Sequence, residues 1–161
     1  QILVAMWWRL FIMTTYLSRS KMQNRRWKFC YPYQKAKMNP KQVLETFWEK
    51  MESNDFYAVA ELLHDEFTLE WHQSGELIRG RENFAKINTA YPANGEWRFN
   101  INSIVAEGDV VVTDVSVTDG VVKDRVITFS TVRDGKIWKQ IEFWPEPFAA
   151  PEWRSQWVEK I

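Results

Sequence analysis

Cysteine is almost absent from this chain, and histidine is scarce. The single cysteine, Cys30, lies within the first 37 residues, so residues 38–161 can form neither a disulfide nor a thiolate metal site. The two histidines, His64 and His72, lack HxH or HExxH spacing and give little support for a metal centre. A glycine-rich phosphate loop, a GxSxG motif and a nucleophilic cysteine are also missing, which argues against phosphoryl transfer and triad hydrolysis. We therefore expect no metal and no cofactor.

Positive charge is scarce over most of the chain because it is concentrated at the start. Residues 1–37 carry eight Lys or Arg and no acid, whereas residues 38–161 carry thirteen Lys or Arg against twenty-one Asp or Glu. A protein that binds nucleic acid needs a basic face to displace counterions. The acidic body therefore argues against a nucleic-acid partner.

The first 37 residues have a different character from the rest. Residues 2–17 are apolar, but they are short for a membrane span of about 20 residues, and Arg9 interrupts them. The positive charges follow the apolar run, whereas a signal peptide places them before it. One interpretation is a membrane anchor with a cytoplasmic basic flank; the other is that Met38 is the real initiator. We favour the second, because helix signals begin directly after Met38.

We thus expect residues 1–37 to be a leader outside the fold and residues 38–161 to form one domain. The protein is expected to be cytoplasmic, with a membrane contact only if the leader is expressed.

Three helices are predicted at the start of this domain. Asn39 is a favourable N-cap, and Pro40 suits the first helical position. Apolar residues then recur at helical spacing and form one wide face: Val43, Leu44, Phe47, Trp48 and Met51. A second helix, which Asp55 caps, carries Val59, Leu62 and Leu63. We then expect a strand over residues 66–72, a short return strand over 76–78 and a third helix that starts at Gly80-Arg81.

A meander of four strands is predicted to follow. The runs cover residues 97–106, 110–118, 121–132 and 137–144, and turn residues such as Asp119-Gly120 and Asp134-Gly135 connect them. Helices followed by an antiparallel meander indicate an α+β fold. A final helix carries Trp153 and Trp157 four residues apart, and we expect this stripe to dock on the sheet.

The turns determine which side chains share a face of the sheet. A two-residue turn at Asp119-Gly120 pairs Asp114 with Arg125 on a polar face. The opposite face then holds Val111, Thr113, Val115, Val117, Val126 and Thr128, with Asp124 as a possible second carboxylate or as the solvated end of the strand. At Asp134-Gly135 a three-residue turn would keep Thr128 on the same face as Trp138, Gln140 and Glu142, and a two-residue turn would reverse this. The pattern alone leaves both open.

One face of the last strand has the composition of a pocket wall. Trp138 and Trp144 bracket Gln140 and Glu142, which combines apolar area with a few polar groups. Burial would raise the pKa of Glu142, by up to about 3–5 units for a fully buried group, and would suit it to general acid–base catalysis. The alternative is a carboxylate at the cavity mouth that is paired or hydrogen-bonded. His72 is a second candidate for proton transfer, or else a rim or interface histidine.

The order of these elements resembles the nuclear transport factor 2-like superfamily. The likeness is strongest to its SnoaL-like branch, which includes polyketide cyclases and is related to ketosteroid isomerases. It spans residues 38–161, and the segments that carry it are DFYAVAELLHDEFTLEW, GELIRGRENF, VRDGKIWKQIEFW and WPEPFAAPEWR. The resemblance implies a cone-shaped, curved, mostly antiparallel sheet closed by N-terminal helices, with an internal ligand cavity and usually a homodimer. It also supports the three-residue turn at Asp134-Gly135.

The isomerase catalytic residues do not carry over. At the position of the catalytic base of steroid isomerases this chain has Trp71, and at the position of their tyrosine it has Phe47. The position of their aspartic acid falls near Thr128. We predict instead that Glu142 and His72 handle protons. The predicted ligand-binding residues are Phe47, Trp71, Thr113, Val115, Val126, Thr128, Trp138, Gln140 and Trp144.

Three functions are consistent with these features. The first is a dimeric protein that binds an apolar or aromatic small molecule and acts on it as a cofactor-free isomerase, cyclase or hydratase. The second is a non-catalytic ligand-binding module with the same cavity. The third is an interaction adaptor, which would need an exposed apolar patch on the sheet.

Overall fold

The computed structural model describes residues 37–161, which form one compact unit. The predicted leader, residues 1–37, lies outside the described residues apart from Lys37, so its role stays a prediction. No helix within the described part of the chain is long and apolar enough to cross a membrane.

Three helices precede and interrupt the first strands. Helix α1 spans Pro40–Met51, α2 spans Phe56–Ala60 and α3 spans Arg81–Ala90. The start of α1 is a capping box, because Asn39 Oδ1 accepts from the Gln42 N–H at 2.9 Å and Gln42 Oε1 accepts from the Asn39 N–H at 3.0 Å. All five apolar residues predicted for its inner face are buried.

Asp55 caps α2 as predicted, through a hydrogen bond from the Ala58 N–H. The helix is shorter than expected, however, because Leu63 already belongs to the first strand.

Six strands form one curved, unclosed sheet, which confirms the α+β cone. Their bounds are β1 Leu63–Trp71, β2 Glu76–Arg79, β3 Arg98–Glu107, β4 Val110–Thr118, β5 Lys123–Arg133 and β6 Lys136–Phe143. The strand order is β2-β1-β6-β5-β4-β3, and every neighbouring pair is antiparallel except β1 with β6. The parallel pair brings the first and last strands of the domain side by side.

The β4–β5 connection is longer than predicted. Thr118 pairs with Lys123, so the turn has four residues instead of two. This moves the register by two positions and therefore leaves every side chain on its predicted face. Asp114 and Arg125 become diagonal neighbours and still form a two-pronged ion pair, with Nε to Oδ1 at 2.7 Å and Nη2 to Oδ2 at 2.5 Å. Asp119 holds the turn by accepting backbone N–H groups from both Val121 and Val122.

The β5–β6 turn corrects the three-residue prediction. Asp134 and Gly135 both have positive φ, 54° and 79°, and Arg133 pairs with Lys136 across a two-residue turn. The register then shifts at Trp138, where β6 carries one extra residue as a bulge. Thr128 consequently pairs with Glu142, as the three-residue turn would have given.

The C-terminal segment also differs from expectation. Residues 152–157 form a short 3-10 helix, and Trp153 and Trp157 are 71% and 72% exposed, so the docking prediction is wrong. In this geometry residues three apart are aligned, whereas residues four apart diverge. The two indoles therefore do not form a common stripe.

Candidate ligand-binding cavity

A cavity of about 600 Å³ opens at one end of the sheet, between its inner face and helices α1 and α3. Nine of the twenty residues that line it are aromatic: Phe47, Trp48, Phe56, Trp71, Phe84, Tyr91, Trp97, Phe99 and Trp144. Several of these rings pack edge-to-face, as Phe47 does with Trp48 at 5.1 Å and Tyr91 with Trp97 at 6.0 Å. The size and lining suit a small molecule with a flat or apolar body.

Glu142 is the acid at the base of this cavity. Glu142 is only 6% exposed. Its Oε2 accepts hydrogen bonds from the indole N–H groups of Trp71, at 2.9 Å, and Trp144, at 3.3 Å. The register explains the pair, because Trp71 lies opposite Glu142 in the parallel β1–β6 ladder and Trp144 follows two residues later on the same face. Within residues 37–161, Oε1 has no hydrogen-bond partner.

The environment of Glu142 favours its neutral form. Burial raises the pKa of the carboxyl above its ordinary value, while the hydrogen bonds from Trp71 and then Trp144 act in the opposite direction. The net shift is upward, because two neutral donors replace only part of the hydration that a carboxylate loses. A carboxyl of this kind is suited to accept or donate a proton nearer neutral pH than an exposed glutamate.

Five of the predicted ligand-binding residues lie on the correct face but too deep. Thr113, Val115, Val126, Thr128 and Gln140 are fully buried and do not reach the cavity. Helix α1 packs against β4, β5 and β6, the strands that carry them, and Trp48 Nε1 donates a hydrogen bond to Thr113 Oγ1 at 3.1 Å. The closed end of the cone is therefore packed with side chains, and these five residues belong to its core.

A polar row nevertheless extends below Glu142. Gln140 donates to Ser130 Oγ at 3.2 Å, while Gln140 Oε1 and Thr128 Oγ1 are buried without a hydrogen-bond partner in the described part of the chain. Thr128 is the direct cross-strand neighbour of Glu142. The core next to Glu142 therefore contains polar side chains that do not reach the cavity.

His72 and Trp138 point away from the cavity. His72 follows Trp71 by one residue, so the alternation of the strand directs it outward, where its Nε2 lies 2.8 Å from Glu70 Oε2. Trp138 sits at the bulge, which turns it to the outer face beneath the Arg133 guanidinium, 4.5 Å from the ring centroid. Of the predicted site residues, the structure brings together Glu142, Phe47, Trp71 and Trp144.

Sequence reasoning missed part of the wall. Tyr91, Trp97 and Phe99 line the cavity from the loop after α3 and the start of β3. Alternation in the strand predicted over residues 97–106 could have placed Trp97 and Phe99 together on the inner face, whereas Tyr91 lies in a loop and has no periodicity to reveal it. Asp124, considered as a second carboxylate, is exposed at the mouth.

Ligands for a metal do not converge here. Among residues 37–161 no three His, Cys, Asp or Glu side chains are grouped closely enough to hold a metal ion.

The hydroxyl of Tyr91 and the indole N–H of Trp97 make no hydrogen bond to other described residues, and both remain available as donors to a ligand.

Comparisons with known proteins agree with this architecture. A candidate ketosteroid isomerase from Kribbella flavida superposes with a TM-score of 0.70 at 25% identity, over 76% of this chain and 89% of that one. An NTF-2-like protein of unknown function from Burkholderia xenovorans gives 0.63 at 29% identity, over 76% and 94%. IdmH, a candidate polyketide cyclase from Streptomyces antibioticus, shares the fold with a TM-score of 0.58 at 19% identity, over 66% of this chain and 92% of that one.

No curated protein is significantly similar to the chain. The SnoaL-like domain family matches residues 44–140. This range contains most of α1, the strands β1 and β5 on either side of β6, and most of the residues that line the cavity, and it ends two residues before Glu142. This match covers more than half of the sequence and confirms the resemblance seen in its motifs: the chain belongs to the SnoaL-like domain family.

Proposed function

We propose that this protein binds a small apolar or aromatic molecule in the cavity and transfers a proton on it with Glu142, as a cofactor-free isomerase. The observation that carries the proposal is the position of Glu142: the residue is 6% exposed and lines an aromatic cavity, and one of its carboxyl oxygens has no hydrogen-bond partner in the described chain. The likeness to a candidate ketosteroid isomerase supports the same class of reaction.

Isomerisation is the reaction that a single carboxyl can complete. Glu142 would take a proton from a carbon beside a carbonyl and return it at another carbon of the same ligand, so that no proton is gained or lost. His72, the second group predicted to handle protons, lies on the outer face of the sheet, so the proposal uses Glu142 alone. The Tyr91 hydroxyl and the Trp97 N–H line the cavity and are available to bond the ligand oxygen that gains negative charge.

Hydrogen–deuterium exchange tests the proposal without knowledge of the natural substrate. A panel of cyclic and aromatic ketones is incubated with the full chain in deuterium oxide, and exchange at the carbon beside the carbonyl is followed by NMR. General acid–base catalysis contributes about 10²–10⁴-fold, so Glu142→Gln should lose exchange by about that factor. Glu107→Gln is the matched control, because Glu107 is an exposed glutamate at the opposite end of β3 from the cavity.

A non-catalytic ligand-binding module is the alternative function. The observation that favours it is the position of His72, which lies on the outer face of the sheet and cannot assist Glu142 in the cavity. In that case a ketone that perturbs the indole signals of Trp71 and Trp144 would show no protein-dependent exchange, and Glu142→Gln would bind it as well as the parent protein does. Exchange that persists undiminished in Glu142→Gln would contradict the assignment of Glu142.

We also propose that the protein is a cytoplasmic homodimer that uses the outer face of the sheet. Val105 and Phe129 are 64% and 43% exposed there, and Phe129 packs on Phe143 at 6.1 Å. Light scattering after gel filtration should show a dimer that Phe129→Glu dissociates and that Val121→Glu, in an exposed loop, leaves intact. A monomer at high micromolar concentration would contradict the dimer and would leave this face for a different protein, as an adaptor would use it.

A further inference from the structure

The charged side chains around the cavity are all of one sign. Glu76, Asp124, Glu142 and Glu146 line it, and no Lys, Arg or His does so in the described part of the chain. A site for a neutral ligand does not need four carboxyl groups, and a site for an anion would be opposed by them. The charge of the lining therefore favours a positively charged ligand over a neutral or a negatively charged one.

Positive charges close to the cavity do not cancel this field. Arg98, Lys123 and Arg125 line a neighbouring groove of about 650 Å³ that shares Asp124 with the cavity. Arg98 is engaged by Glu96 at 2.7 Å, and Arg125 is engaged by Asp114. Lys123 is adjacent in sequence to Asp124 and offsets its charge most directly, which leaves Glu76, Glu142 and Glu146 without a neighbouring cation among the described residues of the cavity lining.

Those three acids lie at different depths. Glu142 is at the base, where its Oε1 has no donor among residues 37–161 and its Oε2 receives only neutral indole N–H groups. Glu76 is exposed near the mouth and accepts from Ser74 Oγ at 2.5 Å, while Glu146 follows on the extended segment after β6. A buried carboxylate without a positive partner is costly, which is why burial favours the neutral form of Glu142. A bound cation would supply that partner and favour the charged carboxylate.

The aromatic walls favour the same kind of ligand. The face of an indole, phenol or phenyl ring attracts a cation, and desolvated contacts of this kind are stronger than exposed ones. Trp71 and Trp144 direct their N–H edges at Glu142, while Tyr91, Trp97 and Phe99 line the cavity from other elements and supply further ring surface. Rings around an acid at the base match an ammonium group that carries an apolar body.

We propose that the natural ligand is an organic cation, an amine or quaternary ammonium compound with an apolar or aromatic body, whose positive nitrogen lies next to Glu142. This inference rests on the proposed function only in taking the same cavity as the ligand site. It narrows the ligand class and requires no particular reaction.

A pair of isosteres tests the charge directly. Phenyltrimethylammonium and tert-butylbenzene have the same shape and differ by a quaternary nitrogen in place of a quaternary carbon. Each is titrated into the ¹⁵N-labelled full chain, and binding is followed through the indole N–H signals of Trp71 and Trp144. The cation should bind at least about tenfold more tightly, which corresponds to about 1.4 kcal/mol, and high salt should reduce this preference.

Two variants and one control connect the preference to the cavity. Glu142→Gln should remove most of it, Glu76→Gln should reduce it less, and Glu107→Gln should leave it unchanged. Equal or tighter binding of tert-butylbenzene to the parent protein would overturn the cation proposal while leaving the cavity as an apolar-ligand site. A preference that neither Glu142→Gln nor Glu76→Gln alters would overturn it as well. If neither compound moves the two indole signals at millimolar concentration, both this inference and the proposed function fail.

Discussion

Replacing Glu142 with glutamine is expected to change how the stability of the protein depends on pH. Burial raises the pKa of Glu142 in the folded chain above the ordinary value of 4.5. At pH values between 4.5 and the folded-state pKa, the folded chain keeps a proton that the unfolded chain has lost. The free energy of unfolding therefore falls by about 1.4 kcal/mol per pH unit in this range. This contribution to stability is fully present below pH 4.5 and is lost as the pH rises through the folded-state pKa. Glutamine cannot ionise and lacks it.

Other acids contribute with the opposite sign, but they cancel in the comparison. The pKa values of Glu66, Glu70, Glu82, Asp114 and Asp119 are lowered by ion pairs or backbone hydrogen bonds, so these groups stabilise the fold as the pH rises. They are present in both proteins. The titratable groups that share the cavity with Glu142, which are Glu76, Tyr91, Asp124 and Glu146, are also present in both.

The assay is urea unfolding of both proteins, monitored by tryptophan fluorescence. It is repeated between pH 4 and pH 9, roughly the range in which a raised carboxyl pKa is found. Parent stability minus variant stability should decline with pH and then reach a plateau at the folded-state pKa of Glu142. Its total decline measures the pKa shift. Glu107→Gln, which removes an exposed acid, should give a flat difference. A flat difference for Glu142→Gln as well would show that the carboxyl is solvated, and the acid–base proposal would be refuted.

Three further predictions concern the contacts around the site and the fold. Trp71→Phe removes an indole N–H from the Glu142 carboxyl, so it should raise the pKa of Glu142 further and cost about 2 kcal/mol at high pH in the same urea assay. Asn39→Ala breaks the capping box of α1 and should lower stability by about 1 kcal/mol in thermal melts, whereas Lys41→Ala should not. Asp119→Asn should lower the melting temperature at neutral pH, because backbone N–H groups lower the pKa of this carboxyl, and the difference from the parent should shrink below pH 3.8.

The elements that sequence reasoning predicted best are those with strong local signals. Asn39 and Pro40 mark the start of α1, and the apolar spacing after them gives its buried face. The alternation in β4 and β5 placed Thr113 and Thr128 on the inner face even though the turn between the strands is longer than expected. A register error of two residues preserves the faces of a strand, so this prediction was robust.

Depth within the cone could not be read from the sequence. Alternation reports which face a side chain occupies, but not whether a helix covers that face. Thr128 and Glu142 are cross-strand neighbours, yet Thr128 is sealed under the core and Glu142 reaches the cavity. Their positions across the sheet differ, since Thr128 is on β5 and Glu142 is on β6, and which strand α1 covers depends on how the helix crosses the sheet.

The position of Glu142 depends on a single extra residue in β6. The two-residue turn at Asp134-Gly135 would by itself direct Trp138 and Glu142 to the same face, opposite to the one that Thr128 occupies. The bulge at Trp138 separates them: it leaves this indole outside under Arg133 and brings Glu142 inside between Trp71 and Trp144. Turn and bulge together therefore select which of the two faces of β6 lines the cavity. The acid that carries the proposed chemistry is buried because of this local irregularity, which hydrophobic periodicity alone cannot predict.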